Sequence, residues 1–210
     1  MDKYDVIHDY YCYPSSAVLK NKLGITDASI FEQAERDITS LTIERVTYQS
    51  PPYTLQTFKK IHYALFSDVY EWAGEIRTVD ISKGGTRFCT CNRIEPEATK
   101  LFRNLEKDHW LKDLLPADLA TKLAEHYCEF NMLHPFREGN GRVQRIFFEH
   151  LALSSGYRLD WRDVTKDEWI QANIDGVQVE YGKMEKIFAR ILQTTQDIKQ
   201  ELLTGRTRLV

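Results

Sequence analysis

His134-Pro135-Phe136-Arg137-Glu138-Gly139-Asn140-Gly141-Arg142-Val143-Gln144-Arg145 is the stretch from which the fold and the chemistry of this chain are read. Pro135 disfavours helical geometry in the residue before it, so the apolar-periodic segment carrying Leu119, Leu123, Tyr127 and Phe130 stops there. A second helix opens after Gly139-Asn140-Gly141, with Val143, Ile146, Phe147 and Leu151 on one stripe. The stretch is helix, irregular turn, helix. Glycines let the backbone approach a ligand, and a helix start offers unpaired amide hydrogens and a favourable potential for an anion. Arg142 and Arg145, one turn apart, can each take a phosphate through forked hydrogen bonds.

Glu138 has the wrong sign for bare phosphate. Magnesium resolves the conflict, because one carboxylate, phosphate oxygens and waters complete its oxygen shell. His134 lies across the irregular turn from Glu138, and an ordinary imidazole pKa of about 6.5 suits proton removal near neutrality. Phe136 reads as an anchor into the core. Singly, each residue has a plainer reading: glycine-asparagine turns are common, and both arginines can pair with Glu138 or Glu149. The phosphate loop ending in Gly-Lys-Ser or Gly-Lys-Thr is absent, as is the dinucleotide glycine pattern.

Outward from this stretch the texture is mostly helical. Ser29 reads as a cap for a helix with Ile30, Ala34, Ile38 and Leu41 on its apolar face. Thr54, after Pro51-Pro52, caps a helix carrying Leu55, Phe58, Ile61, His62 and Leu65. Arg77 to Ile81 and Arg87 to Cys91 read as the strands of one hairpin around Lys83-Gly84-Gly85. Helices follow from near Pro96 towards Trp110, from beyond Pro116, up to Gly156, from Lys166 to Ile174 and from Gly182 to Glu201. The expected fold class is therefore all-α with one small β-hairpin, in a single domain over 1–202 and an unpacked tail over 203–210.

The chain has 210 residues, with 28 basic and 31 acidic side chains. So balanced a charge gives no electrostatic footprint for direct nucleic-acid contact, and no basic stripe or paired metal carboxylates support a nuclease. Cys12, Cys89, Cys91 and Cys128 make neither a disulfide framework nor a zinc site, since Cys89 and Cys91 lack a second ligand pair. No run is long enough to cross a bilayer and no apolar signal opens the chain, so a cytoplasmic, membrane-free protein is expected. His62 and His126 fall on apolar stripes and read as packed histidines. Trp72, Trp110, Trp161 and Trp169 are too scattered for a base-stacking array. Asn173, Asp175, Gln178 and Tyr181 are candidates for an adenine-facing edge, or simply for helix ends.

The central stretch resembles the Fic family, whose motif His-x-Phe-x-Asp/Glu-Gly-Asn-Gly-Arg-x-x-Arg is matched throughout from His134 to Arg145. The likeness takes in the Tyr70-Glu71-Trp72-Ala73-Gly74 turn, and the short chain is similar to the bacterial toxin branch. The resemblance implies transfer of AMP from magnesium-bound ATP to a hydroxyl side chain of a target protein, with release of pyrophosphate. It implies His134 as base, Glu138 as magnesium ligand, and Gly139, Asn140 and Gly141 as the phosphate seat. Arg142 would hold the β-phosphate and Arg145 the γ-phosphate. Asp80-Ile81-Ser82-Lys83-Gly84-Gly85-Thr86-Arg87-Phe88-Cys89-Thr90-Cys91-Asn92-Arg93 would be the flap whose strand edge docks an extended target segment.

The family's inhibitory helix (Ser or Thr, three residues, Glu, then Gly or Asn) has no counterpart at either end. Thr195 and Glu201 are wrongly separated, and Leu202 follows the glutamate. A small separate antitoxin reaching Arg145 with a glutamate is the expectation that follows. Similar toxins imply the ATPase subunits of DNA gyrase and topoisomerase IV as targets. The alternatives are a Doc-like phosphoryl transferase and a nucleotide-binding interaction module without turnover.

Overall fold

Asp27, two residues ahead of the expected cap at Ser29, opens the first helix. Its carboxylate accepts the amide hydrogens of Ser29 and Ile30 at 2.9 and 3.0 Å, supplying acceptors that the first turn lacks. The computed structural model describes residues 4, 6 and 9–194 of the chain. Helix α1 runs Ala28–Thr42 and buries Phe31, Glu35, Thr39 and Thr42. Ile30 and Leu41, expected on the core face, are 60% and 72% exposed. The helix is rotated because its polar stripe has buried partners, among them the Leu65 carbonyl, which accepts the Thr42 hydroxyl at 2.7 Å.

Helix α2, Leu55–Phe66, starts at Thr54 as expected, with a reciprocal capping box to Thr57. It buries Phe58, Ile61, His62, Leu65 and Phe66. Strands β1 (Ser82–Lys83) and β2 (Thr86–Arg87) pair antiparallel, Ser82 with Arg87 and Lys83 with Thr86. Gly84 and Gly85, at φ 54° and 84°, supply the two left-handed residues of a tight hairpin turn. The hairpin is shorter than its alternating pattern implies. Phe88 N–H still reaches the Ile81 carbonyl at 3.2 Å, but farther out the amides are used elsewhere: Arg77 N–H donates to the Pro135 carbonyl and Cys89 N–H to the Met132 carbonyl, both at 2.9 Å.

The remaining helices are α3 (Ile94–Lys107), α4 (Pro116–Leu133), α5 (Asn140–Ser154), α6 (Lys166–Val177) and α7 (Gly182–Ile191). Helix α3 stops short of Trp110, where His109, Trp110 and Leu111 turn left-handed and deliver Leu111 to a fully buried position. Helix α7 ends ten residues before the expected Glu201, because the chain becomes β4 (Leu192–Thr194) and pairs with β3 (Tyr157–Leu159). No alternation in the sequence signals that second strand pair. The tail and the Thr195–Glu201 spacing lie outside the described residues.

The described residues form two compact units, one drawn from those up to 49 with 53–102 and 132–147, the other from 50–52, 103–131 and 148–194. In the first, Tyr53, Phe58 and Phe102 meet Phe147 edge-to-face at 5.1, 4.8 and 5.8 Å between ring centroids. In the second, Tyr127 meets Phe148, Trp169 and Phe188 at 4.8, 5.0 and 5.7 Å. Among the described residues all four cysteines are free thiols, and no three His, Cys, Asp or Glu side chains are grouped as a metal cage. No described helix is long and apolar enough to cross a membrane.

Candidate active site

The turn between α4 and α5 is built by the side chain of Asn140. Its Oδ1 accepts the Phe136 N–H at 2.8 Å and its Nδ2 donates to the Phe136 carbonyl at 2.7 Å. Asn140 thus closes the turn with its carboxamide, and what it offers an anion is its backbone. The N–H groups of Arg142 and Val143 both reach the Gly139 carbonyl at 3.1 Å. Those of Asn140 and Gly141 have no backbone acceptor among the described residues, as expected at a helix start.

The two glycines serve different ends. Gly139 has φ +80°, and a Cβ there would lie 2.4 Å from the Phe66 ring, so packing forbids any side chain. A Cβ on Gly141 would meet nothing within 4 Å. Gly139→Ala is expected to cost about 2–4 kcal/mol, from the left-handed backbone and overpacking together. Gly141→Ala is expected to match or exceed the parent in stability by up to about 1 kcal/mol while weakening nucleotide binding. Urea unfolding and calorimetric ATP titration of both variants check this, and equal nucleotide affinity in Gly141→Ala would remove Gly141 from the phosphate seat.

Glu138 is buried in the same turn. Its Oε1 accepts the Gly139 N–H at 2.9 Å and lies 3.7 Å from the Arg142 guanidinium. Its carbonyl is held by His62, whose Nε2 is 3.1 Å away. The Nδ1 of His62 accepts the Gly74 N–H at 2.8 Å, so Nε2 carries the proton and the ring is neutral. Phe136 stacks on that ring at 4.0 Å. The expectation of a packed histidine holds, and its two hydrogen bonds bridge the Tyr70–Gly74 turn to the Glu138 backbone.

Burial pushes the His62 pKa down to about 3. The folded value is depressed below the unfolded one of about 6.5, so this contribution to stability is complete above pH 6.5 and is lost as pH falls towards 3. The expected slope from this one group is about 1.4 kcal/mol per pH unit. Urea unfolding at pH 6.5 and 5 should show a smaller loss in His62→Gln, which keeps a donor and an acceptor but does not titrate. Parallel losses in the two proteins would show that His62 is not the group responsible.

His134 is at φ +37° and its ring is stacked on Phe88 of the hairpin at 3.8 Å and 17°, with Tyr4 edge-on at 5.9 Å. The link is made by Arg77, which in the sequence reads merely as a strand start. Its Nε donates to the His134 carbonyl at 2.8 Å, one terminal nitrogen to the Val79 carbonyl at 2.6 Å, and the other to the Cys89 carbonyl. Burial lowers its pKa, yet a guanidinium keeps its charge. Arg77 therefore ties both legs of the hairpin to the first residues of the central stretch.

The segment from Asp80 to Arg93 divides accordingly. Ile81 and Phe88 are buried with Tyr4 and Val79. Asp80 accepts the Cys91 N–H at 2.7 Å and the Arg87 guanidinium at 3.1 Å, closing the base. Cys91, Asn92 and Arg93 form a short 3-10 turn into α3, with Arg93 paired to Glu97. The tip, Lys83 to Thr86, takes no part in these contacts. Arg137, the buried arginine of the stretch, pairs with Asp9 through its Nε at 2.9 Å and so holds the tyrosine-rich N-terminal segment.

Arg142 and Arg145 differ sharply. Arg142 pairs with Glu35 of α1 at 2.5 Å and donates to the Thr39 hydroxyl at 3.0 Å, its guanidinium lying 4.5 Å from the centre of the Phe66 ring. Tyr70 donates its hydroxyl to the other oxygen of Glu35. Neither Glu35 nor Tyr70 stands out in the sequence; of the acids it offered as plainer partners for the two arginines, Glu138 lies 3.7 Å from Arg142. Arg145 is exposed, with no ion pair among the described residues. In the second unit, Glu149 accepts the Trp161 indole N–H at 2.7 Å, and His126 bonds to Asp108 at 3.0 Å. There too, Asn173 donates to the Trp169 carbonyl one turn back within α6, and Asp175 pairs with Lys183 of α7.

Residues 52–152 match the Fic/DOC family. Over 91% of this chain and 96% of the other, the sequence is 38% identical to “Probable protein adenylyltransferase Fic” of Escherichia coli (strain K12). The chain belongs to the Fic/DOC family. Two solved structures are similar at comparable coverage. The N-terminal Fic domain of a Bep effector from Bartonella quintana, with bound ADP, has TM-score 0.80 and 27% identity over 90% of this chain and 97% of that one. BepC from Bartonella tribocorum, with bound AMPPNP, has TM-score 0.78 and 26% identity over 88% and 97%. The Fic/DOC match takes in α2, the hairpin and the whole turn, whereas α1 with Glu35 precedes it.

Proposed function

We propose that this protein transfers AMP from ATP to a hydroxyl side chain of another protein. The observation that carries the reading is one turn presenting four things together. They are the His134 imidazole braced by Phe88, the Glu138 carboxylate, a helix start with open amides, and the Arg142 guanidinium. The adenylyltransferase name of the Escherichia coli relative and the ADP and AMPPNP of the Bartonella structures support it.

In this reading the target oxygen attacks the α-phosphorus, the bond from that phosphorus to the bridging oxygen breaks, and pyrophosphate leaves. His134 takes the hydroxyl proton. The α5 amides and Arg142 hold the phosphates, and exposed Arg145 takes the γ-phosphate. Such a reaction needs orientation and charge stabilisation more than covalent help from the enzyme. Glu138 is the residue to hold magnesium: its carboxylate stands in the turn at the start of α5, and with phosphate oxygens and waters it would complete the ion's oxygen shell. The ion supplies charge neutralisation at the phosphates. The hairpin tip is the surface to which an extended target segment would add.

Targets of the DNA gyrase or topoisomerase IV type, and a small antitoxin whose glutamate meets Arg145, belong to the same proposal. The deciding experiment is incubation of a cell lysate with ATP labelled at the α- or the γ-phosphate. Label entering one protein from α-labelled ATP alone is the expected result. Label from the γ-position alone would establish the Doc-like phosphoryl transfer instead, and no label from either would leave a binding module.

A further inference from the structure

We propose that Glu35, with Thr39 and Tyr70, is a positioning residue for nucleotide binding, pinning the Arg142 guanidinium where it meets the β-phosphate. The proposal rests on the function read above and deepens it, because Glu35 stands on α1, outside the span that matches the family.

The geometry is that of a two-point receptor. Glu35 and Thr39 are one turn apart on the buried face of α1. One terminal nitrogen of Arg142 goes to Glu35 and the other to the Thr39 hydroxyl, while the flat face of the group rests on Phe66. Thr39 is itself fixed, since its hydroxyl donates to the Glu35 carbonyl at 2.8 Å. A guanidinium has five N–H groups and these two bonds use two, leaving three for another anion. The side chain is only partly covered, so that remaining edge is reachable.

Competition between Glu35 and a phosphate for Arg142 is the obvious alternative, and the burial argues against it. Glu35 is 6% exposed, and beyond Arg142 its carboxylate is met by the Tyr70 hydroxyl. Were Arg142 to swing away, a buried negative charge would be left with one hydroxyl for compensation, which is strongly unfavourable. Arg142 therefore stays where Glu35 holds it, and the phosphate has to come to Arg142. Binding then spends no freedom of that long side chain, which is the benefit of preorganisation.

Calorimetric titration with ADP and with AMP tests this, since only ADP carries the phosphate assigned to Arg142. The parent should bind ADP more tightly than AMP. In Glu35→Gln the ADP affinity should fall about tenfold or more, as for loss of one charge-assisted bond, with AMP affinity changed less than about twofold. Thr39→Val, which keeps the side-chain outline, should lower the ADP-to-AMP ratio by a smaller factor. It also decides the matter if Glu35→Gln does not fold. An unchanged ratio in Thr39→Val together with an unchanged ratio in folded Glu35→Gln, or no fall in the one variant that folds, overturns the proposal. So does a rise in ADP affinity, which would make the carboxylate a competitor. If the parent itself binds ADP no better than AMP, the assignment of the β-phosphate to Arg142 fails, and the pinning role falls with it.

Discussion

Replacing His134 with alanine is expected to leave ATP binding intact and to slow transfer of label from α-labelled ATP by roughly 10²–10⁴-fold, the usual share of a general base. In the proposed reading the imidazole stands apart from the groups that would hold the nucleotide, which are the α5 amides, Arg142 and Arg145, with Glu138 for magnesium. It is presented from the other side of the turn, stacked on Phe88 and held through its carbonyl by Arg77. The left-handed backbone at His134 tolerates alanine poorly. His134→Asn is the better-behaved companion, because asparagine adopts that conformation readily yet cannot take the proton. His134→Asn should melt near the parent and His134→Ala somewhat below it, and both should titrate ATP normally. Parent-like transfer in either, or loss of ATP binding in step with activity in both, would refute the assignment of His134 as base.

Arg77→Met is expected to destabilise the protein by about 3 kcal/mol or more. The methionine fills much of the space but abandons three carbonyls, those of His134, Val79 and Cys89, in a buried site. Each buried acceptor left without a donor costs about 1–3 kcal/mol, less whatever water or relaxation returns. The damage should be local as well as global, because these carbonyls join the hairpin to the His134 turn. Amide exchange at Phe88 and Cys89 should accelerate before exchange in α2 does, and transfer should fall with it. A stability change below about 0.5 kcal/mol, ordinary for a surface site, would show that Arg77 is not the staple.

Much of the architecture was legible because it is local. Thr54, Pro116, the proline at 135, and Gly156 punctuate helices through capping and backbone sterics, which need no knowledge of the rest of the chain. The stripe Leu119, Leu123, Tyr127 and Phe130 is buried as its spacing implied. Helix α1 shows the limit. Its apolar periodicity through Ile30 and Leu41 pointed to the wrong face, since the face that is buried carries Glu35 and Thr39 and is satisfied by residues far along the chain. The hairpin was overdrawn for a related reason: alternation cannot tell whether an amide bonds to the partner strand or, as at Arg77 and Cys89, to the turn before α5.

Order along the chain was enough to put an imidazole, a carboxylate, two glycines and two arginines into one helix-opening turn, because the constraint there is the covalent backbone over a few residues. Folding alone decided what each of them does. It made Gly139 a packing glycine against Phe66 and left Gly141 open. It gave the Asn140 carboxamide to Phe136, and it divided the arginines into one clamped by Glu35 and one left to solvent. Those distinctions depend on contacts across tens of residues, where burial sets the cost of every unpaired charge and hydrogen bond, and a linear pattern carries no record of burial.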